Sequence, residues 1–220
     1  MRRTTKVGQT FTNRREAGVR LARTLAGRHW VRPVVLGLAR GGVPVAAEVA
    51  RLLGAPLGVV VARKIGAPGR PEFGVGAVTA HGPANYDAAG VRALGISADE
   101  LDVASERERA EAQRRARLYQ RDRQPQPVEG HDVIVVDDGL ATGVTATAAL
   151  RALRQEGPRK LVFAAPVCAT QAEEALRAEA DEVVCAWRPE RFHAVGEWYS
   201  DFSQTTDDEV IRLLDEGSQA

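Results

Sequence analysis

Two adjacent carboxylates, Asp137 and Asp138, follow the apolar, mostly β-branched run at residues 133–136 and open onto Gly139-Leu140-Ala141-Thr142-Gly143-Val144-Thr145. The apolar run reads as a fully buried strand. Beyond the loop, Ala146, Ala149, Leu150 and Leu153 recur at helical spacing. The order is strand, acidic pair, Gly/Thr loop, helix. A helix N-terminus presents free N–H groups and a partial positive charge. Glycine lets that backbone approach a ligand, and threonine hydroxyls add donors. Such a loop suits a phosphate monoester. The acidic pair repels phosphate but accepts hydrogen bonds from a vicinal diol. A diol beside a phosphate describes a ribose 5-phosphate. The blander alternative, a solvated Asp-Asp turn followed by a threonine helix cap, accounts for either half but not for the two in this order. No Lys follows Gly143, which excludes a Walker loop, and the dinucleotide fingerprint Gly-x-Gly-x-x-Gly is missing from this loop.

Other groups with chemistry lie elsewhere. Residues 34–38 read as a buried strand feeding Ala39-Arg40-Gly41-Gly42, and Val45, Val49, Leu52 and Leu53 mark a helix that Gly54 stops. The paired glycines free the backbone, and the Arg40 guanidinium suits phosphate, so this is a second anion-binding turn in principle. Arg63 and Lys64 stand at the end of an apolar strand, residues 57–62. Two adjacent cations suit a pyrophosphate. Residues 65–72, rich in Gly and Pro, read as a loop that ends in Glu72, with another strand at 75–79. Trp187, Phe192, Trp198, Tyr199 and Phe202 crowd into sixteen residues of a chain that is 5% aromatic. They either seal the sheet or stack on a planar acceptor. His81 and His193 are weaker candidates for moving a proton.

The elements that must position these groups alternate along the chain. Strands at 160–166 and 182–186 flank a helix marked by Ala172, Ala175 and Leu176. Strands alternating with helices argue an α/β fold with a parallel sheet flanked by helices. Asn13 and Glu16 cap a helix whose face is Ala17, Leu21, Ala22 and Leu25, read as packing only. Ser97 and Glu100 form a capping box for a charged helix from Ala98 to Gln120, read as a solvated face, and a last helix runs from Asp207 to Leu214.

The central stretch resembles the 5-phosphoribosyl 1-diphosphate (PRPP) binding motif of the type I phosphoribosyltransferases: an apolar strand, two acidic residues, then a Thr-Gly-x-Thr loop. Ala39-Arg40-Gly41-Gly42 is similar to that family's pyrophosphate loop, nearest to the adenine enzymes' version. The closest whole-chain likeness is to predicted bacterial phosphoribosyltransferases of unassigned acceptor, which share Ala-Arg-Gly-Gly and Arg-Lys-x-Gly-Ala-Pro. The resemblance implies a Rossmann-like parallel sheet with a small hood, in one domain spanning residues 1–220. The core is at about 34–186, and the hood is at 187–220 plus the N-terminal segment. It implies magnesium-dependent transfer of 5-phosphoribosyl to an acceptor, a nitrogenous base, with release of pyrophosphate, and so a place in nucleotide metabolism.

On the same resemblance, Asp137 and Asp138 hold the ribose. Ala141, Thr142, Gly143, Val144 and Thr145 hold the 5-phosphate. Ala39, Arg40, Gly41, Gly42, Arg63 and Lys64 hold the pyrophosphate. Phe192, Trp198 and Tyr199 meet the acceptor, and magnesium is held mainly through PRPP, with no direct protein ligand. In the 6-oxopurine enzymes an Asp precedes the Thr-Gly and contacts the purine; Ala141 stands there and cannot move a proton. Adenine enzymes use a Glu from a mobile loop, which makes Glu72 the candidate base beside Lys64. The alternatives are a PRPP- or nucleotide-sensing regulator without catalysis, and transfer to a non-base amine or hydroxyl.

Composition bounds the rest. Thirty basic and 29 acidic residues give a net charge of +1, which argues against a dedicated nucleic-acid binder. No apolar run reaches the ~18–20 residues that span a membrane, and no signal-peptide core follows the basic N-terminus. A cytoplasmic protein, possible as a homodimer, is the expectation. Cys168 and Cys185 lie in apolar stretches and read as buried free thiols.

Overall fold

The computed structural model describes residues 10–121 and 123–217, without the side chains of Pro71 and Glu72. In chain order the elements are α1 (Arg14–Ala26), β1 (Pro33–Leu38), α2 (Gly42–Leu53), β2 (Leu57–Val60), β3 (Ala62–Ala67), β4 (Arg70–Thr79), β5 (Asn85–Tyr86), α3 (Ala88–Leu94), α4 (Ala98–Gln120), β6 (Asp132–Val136), α5 (Val144–Arg154), β7 (Lys160–Val167), α6 (Thr170–Leu176), β8 (Glu182–Trp187) and α7 (Asp207–Gly217). A short 3-10 turn lies at Val195–Trp198.

Five strands form a parallel sheet in the order β2-β1-β6-β7-β8. The acidic pair therefore ends the middle strand, β6, whose five residues are all buried. Successive side chains alternate between two cores. Val35, Ile134, Val136 and Val162 pack with α1, α2 and α7. Val34, Val133, Val135 and Phe163 pack with α5 and α6. Both faces are covered, which is why these strands read as unbroken apolar runs. The expected caps are present: Asn13 accepts from the Glu16 N–H, and Ser97 and Glu100 form a reciprocal box.

Some expectations are corrected. The Gly/Pro stretch at 65–72 is not a loop. Arg63 and Lys64 lie inside β3, which pairs antiparallel with β4, and β5 completes a separate three-stranded ribbon. Only Pro68 and Gly69 turn, with Gly69 at φ +70°. The glycines at 66, 74 and 76 are carried within the strands, and register shifts flank Gly66. What holds this glycine-rich ribbon is burial: Ile65, Ala67, Val75 and Val78 form a small core with Leu101 of α4, and such packing overrides local preference. That packing, with Ala112 and Tyr119 buried as well, also gives α4 an inward face rather than a purely solvated one. The cysteines are not free thiols. Cys168, just after β7, is bonded to Cys185 on β8 with Cα atoms 6.2 Å apart. Adjacent parallel strands bring together two residues that a whole crossover separates in sequence.

Candidate functional site

β1 and β6 run in register as far as Gly37 opposite Val136, so the loops that follow them leave the sheet side by side. They touch closely. A Cβ on Gly41 would lie 2.1 Å from Asp138 Oδ2, and one on Gly42 would lie 2.3 Å from the Val136 carbonyl and 2.9 Å from Asp137 Cα. The paired glycines are thus required by the fit of one loop against the other, a reason that the sequence did not disclose. The Ala39–Arg40 peptide between β1 and these glycines is cis.

The Asp138 N–H donates to Asp137 Oδ1 at 2.8 Å. Asp138 Oδ2 accepts from Arg14 Nε at 2.8 Å, and the Asp138 carbonyl accepts from the Tyr199 hydroxyl at 2.6 Å. Burial pushes the Asp137 carboxyl well above the usual carboxylate range, and the neighbouring Asp138 charge pushes it further. Burial also raises Asp138, while Arg14 pulls it back down. Burial likewise raises the Tyr199 phenol, so it stays protonated and remains a donor.

The chain then passes under the hood. Gly139 lies against Val195, whose Cγ1 would be 2.4 Å from a Cβ there. Leu140 is tied to the β7 side: its N–H donates to the Val167 carbonyl and its own carbonyl accepts from Ala169 N–H, both at 2.8 Å. Ala141 and Thr142 are exposed, and Gly143, Val144 and Thr145 are half-buried. Gly143 takes φ +77°, which aims the chain into α5. No side chain caps α5, nor α2, the other helix that starts at this site; α6 likewise lacks one, whereas α1, α3 and α4 have caps. The first N–H groups of α5 therefore have no side-chain acceptor.

The cations expected at the pyrophosphate are differently placed. Arg40 lies 3.6 Å from Asp207 at the start of α7, and the Tyr119 hydroxyl also donates to Asp207, at 2.5 Å. Arg63 and Lys64 are neighbours in a strand and so face opposite ways. Arg63 is gripped by Glu108 of α4, at 2.9 Å through Nε and 2.8 Å through Nη2. Lys64 is exposed, with its stem along Gly74. The Glu72 side chain lies outside the described residues, and its backbone belongs to β4.

In the hood, Phe192 and Trp198 stack with centroids 6.5 Å apart. Tyr199 is buried between Phe11 and Phe202, at 5.3 and 5.0 Å. The indole N–H groups of Trp187 and Trp198 are buried and find no acceptor among the described residues. His193 is exposed, 3.6 Å from Glu197. A cavity of about 510 Å³ opens along β2, lined by Leu57, Tyr119, Leu153 and Leu214 among others; of the candidate residues it takes in His81 alone, away from the acidic pair. Sequence reasoning missed Arg14 and Asp207. Each reaches its partner across a long stretch of chain, and neither carried a local signal.

Among the described residues, no three His, Cys, Asp or Glu side chains group to hold a metal. The site offers two adjacent carboxylates beside an anion loop. That fits magnesium held through phosphate and ribose oxygens and water.

A phosphoribosyl transferase domain profile matches residues 13–201. A Mycobacterium tuberculosis (strain H37Rv) protein provisionally named a phosphoribosyl transferase is 43% identical over 205 residues, 93% of this chain and 46% of that protein. The chain thus spans about half the length of the curated relatives it matches. The crystal structure of TT1426 from Thermus thermophilus matches with a TM-score of 0.80 and 46% identity, over 94% of this chain and 98% of that one. A Neisseria gonorrhoeae protein solved with bound ppGpp shares the fold at 14% identity, with a TM-score of 0.54 and 94% coverage of each chain.

Proposed function

The chain belongs to the phosphoribosyl transferase domain family, and on that premise we propose that it transfers 5-phosphoribosyl from PRPP to a nitrogenous base and releases pyrophosphate. In this reading the bond from ribose C1 to the pyrophosphate oxygen breaks, and a bond from C1 to the acceptor nitrogen forms. Asp137 and Asp138 accept hydrogen bonds from the ribose diol. Ala141 to Thr145 cradle the 5-phosphate with N–H groups and the hydroxyls of Thr142 and Thr145. Charge-assisted hydrogen bonds of this kind contribute roughly 1.5–3 kcal/mol each. Ala39, Arg40, Gly41, Gly42 and Lys64 receive the pyrophosphate, and Arg63 joins them only by leaving Glu108. Magnesium, bound through PRPP, supplies neutralisation of the leaving group's charge. Phe192 and Trp198 are the ring faces offered to the acceptor, while Tyr199 supports the acidic loop from behind. With Ala141 unable to move a proton, Glu72 takes the acceptor's proton.

The observation that carries this reading is the acidic pair at the end of the middle strand, followed after the Gly/Thr loop by an uncapped helix start. Its test is calorimetric titration of PRPP with magnesium. Asp137→Asn combined with Asp138→Asn should weaken binding by about 10²–10⁴-fold, the loss of two charge-assisted bonds. Unchanged affinity would remove the diol-binding role.

A further inference from the structure

Arg14 is the first residue of a helix that the sequence presents as packing, yet its guanidinium lies at the acidic pair. Nε donates to Asp138 Oδ2, and the two side chains are only 12% and 15% exposed. Nη1 donates to the Ser203 carbonyl at 2.6 Å, and the guanidinium carbon lies 4.0 Å from the Phe202 ring centroid. The group is therefore fixed from three sides. It also abuts the turn after β1: a Cβ on Gly41 would meet Asp138 Oδ2 at 2.1 Å and Arg14 Nε at 3.3 Å. One ion pair thus joins α1, the tail after the 3-10 turn, the acidic loop and the pyrophosphate loop.

This arrangement answers a difficulty in the proposed reaction. Two adjacent buried carboxylates resist double ionisation, because burial and mutual repulsion both favour a proton. A protonated carboxyl has lost acceptor capacity and cannot serve a diol hydroxyl in the same way. The groups facing the pair are Arg14 from α1, the protonated Tyr199 phenol, and each carboxylate for the other; Asp201 lies within the field of Arg14. Arg14 is the cation among them.

We propose that Arg14 is a positioning residue of the transfer reaction, holding the Asp138 carboxylate charged and turned toward Gly41 so that the pair accepts both ribose hydroxyls. This rests on the PRPP reading above. Removal of the guanidinium leaves Asp138 protonated to higher pH, so binding should fail first on the acid side and recover as pH rises.

The experiment is PRPP titration with magnesium from about pH 6 to about pH 8.5 on wild type, Arg14→Met and Arg14→Lys. Alongside it, the Asp138 carboxyl is titrated by carbon-13 NMR without ligand. Arg14→Met should bind PRPP about 10- to 100-fold more weakly at the acid end, with the gap closing toward the alkaline end. Its Asp138 should titrate at higher pH than in wild type. Arg14→Lys should restore most of the affinity. Equal affinity at every pH overturns the proposal, as does a uniform loss with the Asp138 titration unmoved, which would be anchoring alone. If Arg14→Met does not fold, Phe202→Ala removes the stacked support and should move both readouts in the same direction by less; no movement overturns the proposal. If wild type itself does not bind PRPP, the functional reading fails, and the ligand-free carboxyl titration still decides the role of Arg14.

Discussion

The two sides of the candidate site are built in different ways. On the side proposed for the ribose and its 5-phosphate, nine consecutive residues, 137–145, run from the end of β6 to the start of α5 and supply carboxylates, hydroxyls and N–H groups in one piece. On the side proposed for the pyrophosphate, Arg40, Arg63 and Lys64 come from a turn and a separate ribbon, where Arg40 meets Asp207 of α7 and Arg63 meets Glu108 of α4. The first side is contiguous in the chain. On the second, Arg40 would have to exchange Asp207 for ligand oxygens. A binding function can thus be stored in a local sequence or in an arrangement of distant elements, and even the first kind leans on Arg14, far off in the chain.

This contrast can be broken experimentally. The largest effect is expected at Glu72. If the ribbon delivers the base only when the acceptor is bound, Glu72→Gln should lower kcat about 10²–10⁴-fold and leave calorimetric PRPP affinity nearly intact. Wild-type turnover would make the ribbon scaffold rather than machinery. Next, Thr142→Val with Thr145→Val should weaken ribose 5-phosphate binding by about 10-fold and spare free pyrophosphate. Equal losses for the two ligands would erase the division into sides. A smaller effect separates the adjacent cations. Lys64→Ala should weaken PRPP binding by about 5-fold, whereas Arg63→Ala should leave it unchanged and cost about 0–1 kcal/mol of stability through the lost Glu108 pair. The reverse result would mean that Arg63 abandons Glu108 for the ligand. Smallest of all, Asp207→Asn frees Arg40 and should tighten pyrophosphate, read as product inhibition, by about 2- to 3-fold. Weakened inhibition would show that Asp207 presents Arg40 rather than restrains it.

The parts legible in the sequence were those whose cause is local. The buried strands announced themselves by unbroken apolar runs, α1 and α4 by their caps, α2, α5 and α6 by apolar spacing, and the acidic loop by residue order. The ribbon was misread because Gly66, Pro68, Gly69, Pro71, Gly74 and Gly76 look like loop residues until Ile65, Val75 and Val78 find Leu101. Arg14 was invisible because its partner lies 124 residues away. The Cys168–Cys185 bond was equally hidden, since only the pairing of β7 with β8 brings the two together. Gly41 and Gly42 were picked out for the freedom of their backbone, but their demand for close contact with Asp138 and Val136 emerges only once β1 lies beside β6.

The order β2-β1-β6-β7-β8 has one more consequence. Counting only the strands of this sheet, the wiring is 2-1-3-4-5. After β1 the chain departs toward one edge, and from β6 onward it builds toward the other. The helices that these two neighbours feed, α2 and α5, therefore pack on opposite faces of the sheet, and the two loops that lead to them meet at the topological switch point. The location of the site is in this sense a property of the thread, fixed before any side chain is chosen. The residues at 39–42 and 137–145 decide how closely the two loops fit there, and the thread alone decides that they meet.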